Sequence, residues 1–430
     1  MNKNSDIKVS FFNLIKTISD SIDLRSVKIT GHHKLVAYIS LQLGLRLNLD
    51  KDSLRKLVFS ALIHDIGILY FDKRIDDILD NRTNEEHAYV GYALIKDYFP
   101  FDGYAEILKN HHNKWNEIGN NMNNYLSNII NLADITAYFT DENSNNILSQ
   151  RTEIIKTIKQ YAKDKISSDI LNVIDILGQK EAFWFDMVSI KNREKMVEEY
   201  IRKNLDLKLN LDQVLSISEI VSHIIDFRSP FTAAHSKGIA TISAELAGDL
   251  GFSDEDIKIM EIAGYFHDIG KMAWPLRIIN KAGKLSKKDW AVVKSHTYYT
   301  YYVLDNIKEI PKLKEWAAYH HETLDGRGYP FKIDKRKINM GARIVAVADI
   351  FTAIAEDRPY RNGFKKKKIV NILKDLAING KIDQGIVEVL LEDFDQYNAL
   401  RREKQKKAIR DYNNFEERTI KEIELIYATV

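Results

Sequence analysis

The sequence contains two related copies of one segment, and this duplication constrains the fold more than any other feature. Residues 19–40, SDSIDLRSVKITGHHKLVAYIS, resemble residues 222–243, SHIIDFRSPFTAAHSKGIATIS, at an offset of 203 positions. The same offset carries the tetrapeptide HDIG at 64–67 onto HDIG at 267–270. Each copy covers roughly 180 residues, an ordinary domain size. The 430 residues are therefore predicted to form two homologous domains.

The chain is predicted to be all-α, as tandem helical bundles joined by a helical connector. Apolar residues recur at helical spacing in segments such as LVAYISLQLGL and IVNILKDLA, whereas strand-like alternation is scarce. Asn-rich stretches, including 116–128, are interpreted as loops. The predicted domains are 1–185 for the first copy, 186–209 for a connector, 210–395 for the second copy and 396–430 for a helical tail.

The bulk composition excludes several classes of protein. No run of about 18 apolar residues is present, so membrane insertion is not expected. The N-terminus lacks the apolar segment of a secretory signal, and a cytoplasmic location is the default interpretation. The absence of cysteine excludes disulfides and thiolate metal ligands. A net charge of +2 argues against a large DNA-binding surface.

Histidines carry the functional signal. Ten of the twelve occupy equivalent positions in the two copies, and only His33 and His223 have no counterpart. A lone histidine is more often a core or surface residue than a ligand, but five per copy beside two shared aspartates indicate a common role. Imidazole and carboxylate together suit iron, manganese or zinc. The candidate ligands of the second copy are His235, His267, Asp268, His296, His320, His321 and Asp349.

Seven ligands fit a pair of divalent ions rather than one. In the adjacent His267-Asp268 pair the histidine can bind one ion while the aspartate bridges to the second. Two ions about 3.5–4 Å apart clamp a phosphate and generate a hydroxide at neutral pH. Iron or manganese is favoured and zinc is the alternative, because the ligand set is rich in histidine and lacks thiolate.

The second copy resembles the HD-GYP subclass of the HD-domain metal phosphohydrolases. It carries HDIGK at 267–271, HHETLDGRGYP at 320–330 and DIFTAIAEDRPYR at 349–361. The resemblance implies a helical fold with a five-helix metal-binding core. It also implies hydrolysis of cyclic di-GMP to linear pGpG and, in some members, on to GMP. Some members prefer the mixed cyclic GMP-AMP dinucleotide.

The resemblance also implies roles for individual residues. Lys271 would lie over the substrate phosphate, where a cation stabilises developing charge, and Asp268 would act with the ions in catalysis. Arg358 and Arg361 would bind phosphate or guanine edges. Glycines permit close backbone approach, so the substrate-side loop would be shaped by Gly326, Gly328, Tyr329 and Pro330.

Two departures from the family pattern bear on a third ion. Members with three metals are expected to carry glutamate four residues before the first histidine, where this chain has Phe231. Ser229 replaces an aspartate often found nearby. Two ions are therefore predicted rather than three, and pGpG is the expected main product if a third ion is needed to reach GMP.

The first copy keeps the ligands but loses the residues around them. Ile68 stands in place of Lys271, no GYP sequence follows His112, and Asn143 and Asn146 align near the two arginines. Three interpretations remain, in order of preference: a metal-loaded regulatory or packing domain, an HD enzyme or iron-based redox sensor with another target, and a metal-free relic. Its candidate ligands, for two further ions, are His32, His64, Asp65, His87, His111, His112 and Asp134.

The sequence thus predicts a signalling phosphodiesterase that acts on a cyclic dinucleotide. A non-catalytic dinucleotide receptor is the rival, and an HD phosphohydrolase of other phosphoesters is a third candidate. The tyrosines 298, 299, 301 and 302 are expected to bury a helix face rather than line the pocket. The charged connector and tail are compatible with packing in a homodimer.

Overall fold

The structure is a computed structural model that describes residues 7–24, 31–70, 86–97, 100–101, 103–140, 146–226, 234–279, 281, 283–357 and 362–429. Within this part of the chain the predicted all-α class is confirmed, because strands are confined to two residue pairs. Strand β1 (Val9–Ser10) pairs antiparallel with β2 (Lys208–Leu209), in a register that places Val9 opposite Leu209. No helix in these ranges combines the length and apolar character that crossing a bilayer requires.

Contacts divide the chain into two units. The N-terminal unit comprises Leu14–Leu207 with Glu422–Val430, and the C-terminal unit comprises Met1–Asn13 with Lys208–Lys421. The first strand therefore belongs to the unit that holds the second copy. The domain limits drawn from the repeat, at 185, 209 and 395, remain a prediction.

The N-terminal unit consists of helices that follow the repeat in order. They are α1 (Phe11–Asp23), which begins in the other unit, α2 (His32–Arg46), α3 (Lys51–Ile63), α4 (Glu86–Ile95), α5 (Ala105–Lys109), α6 (Met122–Phe139), α7 (Ile147–Ala162), α8 (Ser168–Gly178), α9 (Glu181–Val188) and α10 (Ile190–Asn204). Short 3₁₀ helices at Ile66–Tyr70 and Trp115–Glu117 complete it.

The C-terminal unit repeats the pattern. Its helices are α11 (Leu211–Asp226), α12 (His235–Asp249), α13 (Asp254–Phe266), α14 (Leu276–Ile279), α15 (Lys287–Val293), α16 (Ser295–Leu304), α17 (Leu313–Ala318), α18 (Met340–Ala355), α19 (Lys366–Ile378), α20 (Gln384–Glu392) and α21 (Phe394–Thr429), the last of which ends in the other unit. Its 3₁₀ helices are Ile269–Ala273 and Tyr319–His321.

The helix of the predicted connector packs within the N-terminal unit. Arg193 of α10 is fully buried and donates to the Gly31 carbonyl over 3.2 Å. Lys34 of α2 also pairs with Glu194 over 2.9 Å. The first turns of the helix at 190–204 are therefore held by the first copy rather than standing apart from it.

The Asn-rich stretch 116–128 was expected to be a loop, and this is wrong beyond Asn121. The Asn121 side chain accepts from the Asn124 amide over 3.0 Å and caps α6. Asn128 then bonds across to the Lys165 carbonyl and the Ser167 amide. An asparagine is a good helix cap, and buried tertiary hydrogen bonds offset its weak preference for the helix interior.

Candidate metal centres

The His-Asp doublet lies at the same structural position in both copies. Helix α3 ends at Ile63 and α13 at Phe266, so His64 and His267 follow directly in the last helical turn. Both helices begin with a side-chain cap, from Asp50 and Ser253 respectively. The local sequence thus fixes both ends of the helix that presents the doublet.

A glycine lets the doublet approach the next ligand helix. A Cβ on Gly270 would lie 2.0 Å from the His296 carbonyl oxygen, and one on Gly67 would lie 2.0 Å from that of His87. Any larger residue would push the ligand helix away. The glycine of the HDIG sequence is therefore needed in both copies to bring ligands together.

Asp268 lies between two groups of histidines in the second copy. Its Oδ2 is 2.8 Å from His267 Nε2, whereas its Oδ1 is 3.3 Å from His296 Nε2 and 4.0 Å from His320 Nε2. One carboxylate oxygen thus faces each group. This is the arrangement that a carboxylate bridging two ions requires.

The remaining predicted ligands complete the cluster. His235 Nε2 lies 3.4 Å from Asp349 Oδ1, and His321 Nδ1 lies 3.9 Å from Asp349 Oδ2. The ligand atoms form two compact groups, each within 4.8 Å: His235 with His267 and Asp268, and His296 with His320 and His321. The structure therefore brings together all seven side chains predicted from the repeat. They come from five helical segments, α12, α13, α16, α17 and α18 with their adjoining turns.

Backbone carbonyls fix the orientation of three of these rings. The Nδ1 atoms of His267, His296 and His320 lie 2.8, 2.6 and 2.7 Å from the carbonyls of residues 264, 293 and 317. A carbonyl only accepts, so each Nδ1 carries a proton and each ring turns its Nε2 towards the cluster. This second layer of contacts is typical of metal-binding histidines.

Glu356 orients the fourth histidine, and sequence reasoning missed it. Its carboxylate lies 3.1 Å from His235 Nδ1. Gln405 of α21 donates to Glu356 over 3.0 Å and to the Ala234 carbonyl over 3.1 Å. Arg401, also buried, bonds to Gln405 and to the Ala355 carbonyl. The tail predicted as a plain packing helix thus supports the metal cluster.

Burial and charge set the protonation of the cluster. Burial foremost, with His320 and Lys271 adding to it, lowers the pKa of His296 to about 3. Burial together with His267 lowers the pKa of His320 to about 4. Burial opposes ionisation of Asp268, yet His267 and Lys271 outweigh it and hold its pKa well below the usual range. Burial lowers the pKa of His235, but Glu356 and Asp349 outweigh it and raise that pKa to about 10. Neutral His296 and His320 beside ionised Asp268 are the forms that bind metal.

The donor set fits divalent ions. Within the described residues, Nε2 of His267 and Oδ1 of Asp268 are buried and make no hydrogen bond. Buried polar atoms without partners are costly, so a cluster of them points to a bound group. Histidine nitrogen with carboxylate oxygen suits first-row transition metals. The atoms also stand at separations expected around ions with bonds of about 2.0–2.2 Å.

Lys271 contacts the cluster directly. Its ammonium lies on Asp268 Oδ2, and it stands 5.4 Å from the centre of the Trp274 ring. The lysine is therefore beside the oxygen that faces His267. The two arginines predicted to bind substrate, Arg358 and Arg361, lie outside the described residues, as do Ser229 and Phe231.

The GYP loop folds back over the paired histidines. The Tyr329 amide donates to the His321 carbonyl over 3.2 Å, and the two rings lie 4.9 Å apart. Buried Glu322 accepts from the amides of residues 331, 332 and 333, which ties the loop to the His320-His321 turn. Gly326 has a positive φ of 73°, which favours glycine. Gly328 and Tyr329 therefore lie against the His321 turn. The substrate-side role of Gly326, Gly328, Tyr329 and Pro330 stays a prediction.

The tyrosines after His296 are not buried as expected. Tyr298 is 44% exposed and Tyr302 is 53% exposed. They contact each other with ring centres 4.6 Å apart, and Tyr298 lies 6.1 Å from Phe331. The prediction of a buried helix face is wrong for these two, because the helix here faces the loop rather than the core.

The first copy builds the same cluster around Asp65. Its Oδ1 lies 3.2 Å from His87 Nε2 and 3.8 Å from His111 Nε2, whereas its Oδ2 lies 3.2 Å from His64 Nε2. The other predicted ligands join it: His32 lies 3.3 Å from Asp134, and His112 lies 3.0 Å from His87.

One further histidine enters the first cluster. His33 is fully buried, and its ligand atom lies within 4.8 Å of those of His64 and Asp65. Sequence reasoning set it aside because its counterpart is Ser236. The signal that could have found it is its place beside His32 at the start of α2.

Comparison with known proteins agrees with this geometry. Models of the HD domain match residues 29–138 and 219–386. A 3'3'-cGAMP-specific phosphodiesterase of Vibrio cholerae is 27% identical over 92% of this chain and 94% of its own length. A cyclic di-GMP phosphodiesterase of Thermotoga maritima is 30% identical over 49% of this chain, which covers 56% of that protein. The crystal structure of a cyclic GMP-AMP-specific phosphodiesterase of V. cholerae shares the fold, with a TM-score of 0.63 and 21% identity over 90% of this chain and 98% of that one.

Two HD domains in tandem, each with its own histidine and aspartate cluster, define the class of this protein. The second domain carries the additional HDIGK and GRGYP sequences. The chain belongs to the HD-GYP family of HD-domain proteins, as its resemblance indicated.

Proposed function

We propose that the second copy is a metal-dependent phosphodiesterase that hydrolyses a cyclic dinucleotide. The observation that carries the proposal is Asp268, whose two oxygens face separate histidine groups while Lys271 contacts the same carboxylate. A dinuclear centre beside a cation is suited to hydrolysis of a phosphodiester. The relatives named as cyclic dinucleotide phosphodiesterases support this substrate class.

The residues of the second copy have two proposed roles, to bind the metal ions and to stabilise charge on the substrate phosphate. When bound, two divalent ions would polarise the phosphate and supply a hydroxide. The seven His and Asp side chains would hold them, with Asp268 shared. Lys271 is placed to neutralise charge that develops on the phosphate oxygens. Tyr329, whose ring is tilted by 41° against that of His321, would contact the substrate and keep water from the reacting phosphate.

Cyclic di-GMP, cleaved to pGpG, is the proposed substrate, and cyclic GMP-AMP is the second candidate. The second candidate is favoured by one observation, the 27% identity to a cGAMP-specific enzyme that extends over 92% of this chain. Both substrates present the same phosphodiester to the metal cluster. The choice between them depends on base contacts, to which Arg358 and Arg361 are proposed to contribute.

Turnover by the full chain tests the proposal. The protein is loaded with manganese or ferrous iron and given each dinucleotide, and linear products are separated by chromatography. Asp268→Asn is expected to abolish hydrolysis, because it removes the charge shared between the histidine groups. Asp65→Asn is the matched control in the first copy and should leave the activity largely intact.

The rival function is a dinucleotide receptor without turnover. Binding measured by calorimetry, together with no linear product from either substrate at full metal loading, would establish the receptor instead. Loss of activity in Asp65→Asn but not in Asp268→Asn would show that the first copy, and not the second, hydrolyses the substrate.

A further inference from the structure

We propose that His33, oriented by Asp23, is an additional metal ligand in the first copy and closes its coordination sphere. The first copy would then bind metal while excluding a substrate phosphate. The inference concerns the other cluster, so it stands or falls separately from the proposed phosphodiesterase activity of the second copy.

Three imidazoles converge on one oxygen of Asp65. The Nε2 atoms of His64, His33 and His32 lie 3.2, 3.7 and 3.9 Å from Asp65 Oδ2. Ligand atoms of an ion with bonds near 2.1 Å are separated by roughly 3.0–3.4 Å, which these distances approach. His33 therefore stands where a further ligand to the same ion would stand.

Asp23 holds His33 in the orientation that a ligand needs. Its Oδ1 lies 2.7 Å from His33 Nδ1, and its Oδ2 accepts from the Gly31 amide over 2.9 Å. With Nδ1 bonded to the carboxylate, the other ring nitrogen is directed at the cluster. That nitrogen, His33 Nε2, is buried and makes no hydrogen bond among the described residues. Carboxylate–histidine–metal triads have this form.

The second copy replaces this ligand with a cation. Ser236 occupies the position equivalent to His33, and Lys271 approaches Asp268 on the oxygen equivalent to Asp65 Oδ2. In the first copy that lysine is Ile68, which is fully buried and carries no charge. The catalytic copy thus offers an ammonium beside its carboxylate, whereas the first copy offers another imidazole.

The exchange alters what the ion can bind. In the first copy the group of His32, His64 and Asp134 and the group of His33, His64 and Asp65 share His64. One ion bound by both groups would have five side-chain ligands, one more than in the second copy. An octahedral ion then keeps at most one position for a bridging oxygen. A phosphate oxygen has no place to enter, so the first cluster is a structural or regulatory metal centre rather than a second hydrolytic site.

Cobalt(II) loading of the full chain tests this, because its visible absorption reports the coordination sphere. Asp268→Ala confines metal to the first copy, and Asp65→Ala confines it to the second. We expect Asp268→Ala to bind cobalt with a spectrum that inorganic phosphate does not change. Phosphate should change the spectrum of Asp65→Ala, whose open positions accept it.

Adding His33→Ser to the Asp268→Ala chain should expose the first copy to phosphate. Its spectrum should then respond to phosphate, and a chelator should remove cobalt at a concentration on the order of 10–100-fold lower. Adding His223→Ser instead is the control, because it removes the other unmatched histidine. This control should behave like Asp268→Ala alone.

Three results would overturn the inference. They are a folded Asp268→Ala chain that binds no cobalt, an equal phosphate response in both single variants, and a His33→Ser change with no effect on metal retention. If Asp268→Ala does not fold, His33→Ser and His223→Ser are compared in the otherwise unchanged chain. Equal resistance of their metal to chelator would then contradict the role of His33. Turnover by Asp65→Ala reports separately on the proposed function.

Discussion

Lys271 is the residue that most clearly separates the two clusters. Its ammonium contacts Asp268, and the equivalent residue in the first copy is the buried Ile68. A cation in a partly buried site interacts with phosphate charge more strongly than in water, because the local dielectric is low. Under the proposed function, this carboxylate takes part in hydrolysis in the second copy and only in metal binding in the first.

Replacing Lys271 with methionine should slow hydrolysis while leaving the metal bound. Loss of one electrostatic stabiliser typically lowers kcat by about 10²–10³-fold. Steady-state kinetics at saturating manganese, with metal content measured in parallel, checks this. Lys288→Met is the matched control, since Lys288 is exposed on α15. A kcat within twofold of the unchanged chain would remove Lys271 from the catalytic scheme.

Glu356 should matter for metal affinity rather than for the chemical step. Glu356→Gln keeps the shape but weakens the hold on His235, so affinity for metal should fall on the order of 10–100-fold. Competition with a fluorescent chelator measures the change. Glu388→Gln, which alters an exposed glutamate bonded to Gln384, serves as control. Unchanged affinity in Glu356→Gln would show that Glu356 does not orient the ligand.

The sequence was sufficient to predict which histidines and aspartates cluster, but it did not predict the residues that orient them. The duplication identified His235 and its counterparts, because residues with a chemical role are kept in both copies while packing residues diverge. Glu356 contacts His235 across a sequence separation of 121 positions, and no local sequence pattern predicts a hydrogen bond between residues so far apart. The repeat does align Glu356 with another carboxylate, Asp141 of the first copy, and this shared residue type could have indicated a common role. His33 was missed for the opposite reason, because comparison of the copies hides a residue that only one of them needs.

At the level of elements, the GYP loop is fixed by its backbone. A Cβ on Gly328 would lie 2.4 Å from the Glu322 Cα and 2.6 Å from the His321 carbonyl oxygen. The loop can therefore approach the ligand turn only with glycine at this position. Its sequence signature predicts a substrate-side loop, and the packing explains why residue 328 is glycine.

Gly328→Ala should displace the loop and impair turnover. A shift of about 1 Å in a catalytic constellation can cost on the order of 10²-fold in rate, and a loss of that size is expected in kcat/KM. Kinetics on the metal-loaded chain measures it. Gly283→Ala is the control, because a Cβ there meets nothing within 4 Å. Equal kinetics for the two variants would show that the loop does not position substrate.

Helical periodicity predicted where helices form better than it predicted which parts of the chain those helices pack against. The helices at 190–204 and 394–429 were expected, yet the first packs onto α2 and the second supplies Gln405 to Glu356. An amphipathic pattern shows that a helix has an apolar face but not which surface covers it. The same limit applies to Tyr298 and Tyr302, whose spacing fits a buried stripe although both are exposed.

For the whole molecule, metal removal should lower stability in both units. Each cluster gathers buried imidazoles and carboxylates, and stripping the metal leaves them without the partner that offsets their desolvation. Free metal at about 1,000 times its Kd stabilises by about 4 kcal/mol, or roughly 8–16 °C in Tm for a unit of this size. Calorimetry with and without chelator measures this difference. An unchanged Tm would contradict metal binding in the folded chain.

The duplication also predicted that the chain forms two units, but it did not predict where the N-terminal residues pack. Two units of similar fold follow from the repeat, whereas the pairing of Val9 with Leu209 does not. Two-residue strands carry no pattern that a sequence can reveal, since alternation needs a longer run. The path of the first residues into the C-terminal unit is therefore visible only in three dimensions.

Anomalous diffraction from crystals of the metal-loaded chain tests the central claim most directly. Data on either side of the absorption edge would locate each ion and identify it. Two peaks are expected in the second copy, one on each side of Asp268, about 3.5–4 Å apart. A single peak away from Asp268, or none at full loading, would contradict it.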